Sequence, residues 1–199
     1  MEENFSSRES FDLIAKMISR AKNEYSDKGE GWLLWGWLLF LSSISSAILI
    51  HFHLARYLPW LWNGMGITVL VYFIYRLTFK KTAIVKTYVE AMLDKFGIGF
   101  FISLITIIIC SAIINNGFAF GYYFILYAFW MYIYGSAIKF KPLIFGAYVN
   151  WASAILIFIV DDFKYGMIIS SGAVLAGYLI PGYMLRNQFN KSSKSNNGL

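Results

Sequence analysis

Residues 31–54, GWLLWGWLLFLSSISSAILIHFHL, contain no Asp, Glu, Lys or Arg. A helix needs roughly 20 such residues to cross ~30 Å of hydrocarbon at ~1.5 Å per residue. A helix that is apolar all round belongs in a membrane or a large core, not on a soluble surface. Five further runs follow: Trp60–Phe79, Phe96–Ile114, Phe118–Ile138, Leu143–Val160 and Tyr165–Leu185. They are continuous and lack period-two alternation, so helices rather than barrel strands are expected. The predicted fold is an all-α polytopic membrane protein with six transmembrane helices. Composition agrees: 58% of the 199 residues are hydrophobic and 14% charged, against about 25% charged in ordinary soluble domains.

The charges are sorted between alternate connections. Fifteen of the 17 Lys and Arg residues precede the first run, lie at 76–95 and 139–141, or follow the last run; Arg56 and Lys164 are the other two. The positive-inside rule then predicts a multi-pass membrane protein of six spans with both termini cytosolic. The first 30 residues lack the short apolar core and small-residue cleavage site of a signal peptide, so the first run is expected to stay as an anchor.

Residues 1–30 read as a cytosolic amphipathic arm. Ser6 and Glu9 fit a capping box. Phe11, Ile14, Ile18, Ala21 and Tyr25 recur at helical spacing, Leu13 and Met17 widen the stripe, and Asp12–Lys16 and Arg20–Glu24 pair on the other side. A second stripe, Ile84, Val85, Tyr88, Val89, Met92, Leu93 and Phe96, predicts another cytosolic amphipathic helix at about 80–96. Such helices suit a membrane surface, a partner or each other. Phe11, Ile14, Ile18, Tyr25, Ile84, Tyr88 and Met92 are the candidate contact residues. Trp32, Trp35 and Trp37 are expected to anchor the first span at the headgroups. Asn115–Gly117 and Lys139–Pro142 read as tight turns, Pro181–Gly182 as a kink or stop, and residues 186–199 as a disordered tail.

Chemistry is sparse. No span carries an ionisable group at its middle, which disfavours a proton relay or a charged filter. His51, His53, Asp161 and Asp162 gather at the predicted outer end. They are the candidate metal ligands, although two residues two apart on a helix point in different directions. A haem clamped between opposite helices is disfavoured, since both histidines share one element. The single Cys110 permits no internal disulfide. No hydrolase, zinc-protease or P-loop motif occurs, so no catalytic residue and no cofactor is expected. Ten of the 17 residues 118–134 are aromatic. Tyr123, Tyr127 and Trp130, with Asn150 and Trp151, could line a pocket for a flat lipophile. Small residues (Ser42, Ser43, Ser45 and Ser46; Gly117 and Gly121; and Gly166 to Gly177) predict faces where helices approach closely.

Three stretches, KNEYSDKGEG, LLWGW at Leu33–Trp37 and YLIPGYML at Tyr178–Leu185, together resemble a family of small bacterial six-span membrane proteins of unknown function. That resemblance implies an inner-membrane protein and supplies no catalytic residue. The expected function is presentation of the cytosolic helices to a regulatory partner or a second copy, with the lipid bilayer as constant partner and no nucleic acid. The alternative is a carrier or binding protein for a lipophilic or neutral solute.

Overall fold

The computed structural model describes residues 29–79, 88–114, 119–160 and 162–197. Among them there is no strand. The elements are α1 (Glu30–His51), a 3-10 turn (Ala55–Tyr57), α2 (Leu58–Phe79), α3 (Tyr88–Ile114), α4 (Ala119–Ala137), α5 (Lys141–Val160), α6 (Phe163–Val174), a π-helical turn (Leu175–Leu179) and α7 (Ile180–Asn197). The arm, residues 80–87, the Asn115–Gly117 turn and Asp161 lie outside the described residues. By length and composition, four helices can cross a membrane: Glu30–His51, Ala91–Ile113, Lys141–Val160 and the combined Phe163–Lys191. Tyr, Trp and Gly dilute the hydropathy of α4.

Side-chain contacts show how the helices alternate in direction. Trp32 of α1 packs on Tyr134, near the end of α4, and on Tyr178 of the last pass. Gly97, early in α3, faces Trp130, late in α4. At the opposite end, Lys164 Nζ lies 3.2 Å from His51 Nδ1, and Phe120 touches both Trp62 and Phe163. Neighbouring helices therefore run alternately up and down.

Two turns end their helices by the same device. His53 and Lys139 both take left-handed φ values, 59° and 55°. Leu54 N–H then donates to Leu49 O and Phe140 N–H to Gly135 O, which satisfies carbonyls left free at a helix C-terminus. Asp162 caps α6 by accepting from Tyr165 N–H at 3.0 Å.

The core is built mainly by α1, α4, α5 and the last pass; α3 adds Leu104, and α2 packs against it from outside. On the Tyr134 side, rings of Trp32, Trp35, Phe100, Tyr127 and Tyr178 interlock at centroid distances of 5.5–6.1 Å. Edge-on and tilted ring pairs of this kind contribute about 0.5–1.5 kcal/mol each. At mid-bundle, small residues take over, because lipid offers no hydrophobic drive between helices and close packing must hold them. α2 leans mainly on α1, and α3 on α4. Leu70, Ile74, Ile102 and Ile109 are exposed on them, as residues facing acyl chains would be.

Three local expectations need correction. Tyr88–Phe96 is not a separate helix; it is the first part of the continuous 27-residue α3, which runs on through Gly97 and Gly99. The tail is helical through Asn197 rather than disordered. A span already formed extends without a new nucleation cost, and Arg186 and Lys191 suit a helix C-terminal half. Pro181 neither stops nor sharply ends the last pass. It cannot donate to the Gly177 carbonyl, and the helix widens to a π-turn just before it, with Ile180 N–H reaching Leu175 O.

Candidate functional site

The three described residues of the predicted metal cluster are otherwise engaged, and Asp161 lies outside the described residues. His51 faces Lys164, His53 is the left-handed terminator of α1, and Asp162 is the α6 cap. Among the described residues, no group of three His, Cys, Asp or Glu side chains could hold a metal ion. The predicted aromatic pocket is not assembled around one space either. Tyr127 and Asn150 are buried in the core. Trp130 stacks on Phe100 of α3 and Tyr123 packs on Phe120. Trp151 turns the other way, onto Tyr132 and Tyr148, which are exposed.

The tryptophans of α1 divide likewise. Trp32 is buried, because the Tyr134 and Tyr178 rings close over it. Trp37 is exposed, and its Nε1–H donates to Tyr183 Oη at 3.1 Å. Of the candidate contact residues, Tyr88 is exposed and Met92 half-buried; the others lie outside the described residues. An open groove of about 390 Å³ runs between α1 and α2, lined by Leu41, Ser42, Ser45, Trp60, Gly64 and Thr68.

What the fold does gather is a polar layer at mid-bundle. The buried polar residues Ser42, Ser43, Ser46, Asn150, Ser153, Ser170 and Ser171 come from α1, α5 and α6 alone. Gly36 faces Leu179 and His51 faces Lys164; that register sets Ser42–Ser46 level with Ile169–Ala173. Gly146 faces Gly177, and Gly166 faces Ile157; that register sets Ser153 level with Ser170. The asparagine lies between them, halfway along α5.

Most of these groups find partners. Ser46 Oγ donates to Ser42 O at 2.7 Å and accepts from Trp62 Nε1–H at 3.2 Å. Ser171 Oγ donates to Ile168 O at 2.8 Å. Asn150 Nδ2 donates to Gly146 O at 2.7 Å and lies 3.5 Å from Met131 Sδ. Three atoms have none: Asn150 Oδ1, Ser170 Oγ and Tyr178 Oη. Buried polar groups are nearly always satisfied, and in hydrocarbon no water makes up the loss. The adjoining π-turn adds to the irregularity, since such turns are frequent at functional sites.

Sequence reasoning singled out Asn150 and the small residues separately. Serine content could have joined them, but only the helix register shows that they share one level. No family model, curated protein or solved structure matches the chain.

Proposed function

We propose that this chain is a six-span protein of the bacterial inner membrane, with both termini cytosolic, that presents its amphipathic arm and inner connection to a cytosolic partner or a second copy of itself. The alternation of six helical passes supports that topology, as does the concentration of Lys and Arg in alternate connections. No catalytic group is assigned.

One observation carries the functional reading: the joint between arm and bundle is fixed. Gly29 has φ +69°, and a Cβ there would lie 3.0 Å from Gly182 O and 3.3 Å from Arg186 N. The chain therefore enters α1 pressed against the last pass. A partner on residues 1–28 would pull directly on that contact. The same joint sets Gly29, where the arm ends, beside the basic helix α7.

A cysteine at position 28, in a Cys110→Ser background, tests this by cross-linking in native membranes. The reading expects adducts to a second copy or a cytosolic protein, lost on Ile14→Asp with Ile18→Asp. Co-purifying partners that survive deletion of residues 1–28 unchanged would overturn it.

A further inference from the structure

The last pass is longer than the hydrocarbon layer a helix must cross. Phe163–Lys191 is 29 residues, about 43 Å at ~1.5 Å per residue, against ~30 Å of acyl chain and ~40–45 Å with the headgroups. Set across a bilayer, it places its end, in α7, among the headgroups. That end has two unlike faces. Gly182 lies against Leu33 and the joint at Gly29, and Leu185 belongs to the core. Met184, Asn187, Gln188 and Lys191, spaced i, i+3, i+4 and i+7, share the other face and are exposed. Among the described residues, these four line an open groove of about 380 Å³.

Along that face the chemistry is ordered. Ile180 and Met184 are apolar and exposed, the Asn187 carboxamide follows, and Lys191 comes about 10 Å beyond Met184 along the axis. A phospholipid presents the same order from its tail outward: acyl chain, glycerol esters, phosphate. The charge is one-sided as well. Arg186, Lys191 and Lys194 lie in this segment, and no Asp or Glu follows Asp162. A phosphate without an ammonium of its own is matched here by a cation and a carboxamide that donates. Elsewhere the exposed faces, such as Leu70, Ile74, Ile102 and Ile109, offer acyl contact only.

We propose that the Met184–Lys191 face of α7 is a binding site for one anionic phospholipid. Its phosphate is held by Lys191 and Asn187, and its acyl chain lies along Met184 and Ile180. The lipid grips α7 from the side opposite Gly29.

The full-length chain in detergent tests this by native mass spectrometry, titrated with dioleoylphosphatidylglycerol and, separately, with dioleoylphosphatidylethanolamine. One phosphatidylglycerol per chain is expected to be retained in preference to phosphatidylethanolamine. Lys191→Gln should weaken its binding about fivefold, the effect of one basic residue at a membrane surface. Asn187→Leu should weaken it too, and Lys191→Arg should keep it. Lys164→Gln is the control, since Lys164 lies beside His51 at the opposite end of the bundle. Both altered α7 residues are exposed, so these variants should fold, which circular dichroism checks. Equal retention of the two lipids would overturn the proposal, as would retention that Lys191→Gln and Asn187→Leu leave unchanged. So would displacement of the lipid by inorganic phosphate, which would make the site one for the free anion.

Discussion

Gly146 and Gly177 face each other across the α5–α6 seam so closely that neither position admits a Cβ. One at 146 would run into the Gly177 carbonyl; one at 177 would meet the Asn150 amide and, at 3.1 Å, the Gly146 carbonyl. The approach is reciprocal, each glycine Cα lying against the other's carbonyl. Weak Cα–H···O contacts of this kind recur where helices approach closely.

Alanine at either glycine should therefore destabilise the bundle by about 1–3 kcal/mol, the range for overpacking against atoms that cannot retreat. Denaturant titration in detergent measures it. Gly64→Ala and Gly99→Ala are the controls, since a Cβ there meets nothing within 4 Å. Each should be neutral or stabilising by up to ~1 kcal/mol through helix propensity.

Gly29→Ala should cost about 1–2 kcal/mol, because a left-handed backbone is disfavoured once a Cβ is present. The added carbon also presses on Gly182 O. Limited proteolysis at residues 26–32 should become faster, while cleavage at the Lys139 turn stays unchanged. Equal protection in both proteins would show that the joint is not seated as described.

Tyr178→Phe should be neutral or stabilising by roughly 1 kcal/mol, because it removes a buried hydroxyl that has no partner. Asn150→Ala should instead destabilise by about 1–3 kcal/mol: it loses the bond to Gly146 O and opens space beside Gly177. Thermal unfolding of the two variants side by side tests the contrast. A Tyr178→Phe variant as damaged as Asn150→Ala would mean that the tyrosine hydroxyl has a partner after all.

Helix positions were readable from the sequence because a bilayer tolerates so few charges. The first apolar run, 31–54, corresponds to α1 at Glu30–His51, and Leu143–Val160 to α5 at Lys141–Val160. Ser42 and Ser46 were legible as interior, since small hydroxyl residues suit helix contacts. The π-turn was not: Pro181 signals a disturbance, but whether a helix stops, bends or widens depends on what packs on it, here Gly146 and Asn150. Trp32 and Trp151 were unreadable for a related reason. In lipid, both faces of a span can carry aromatics, so periodicity cannot distinguish the buried Trp32 from Trp151 stacked on exposed tyrosines. The polar layer needed the register between helices distant in sequence, which no local pattern encodes.

The proposed six membrane passes with cytosolic termini frame the functional proposals above. Cysteines placed singly at Lys95, Ile113, Lys139 and Lys164 in a Cys110→Ser background, labelled in intact cells with a membrane-impermeant maleimide, test it most directly. Six passes predict labelling of the variants at 113 and 164 from outside, and of those at 95 and 139 only after the membrane is opened. Labelling at 95 from outside, with 113 protected, would mean that α2 does not cross, and would contradict the account.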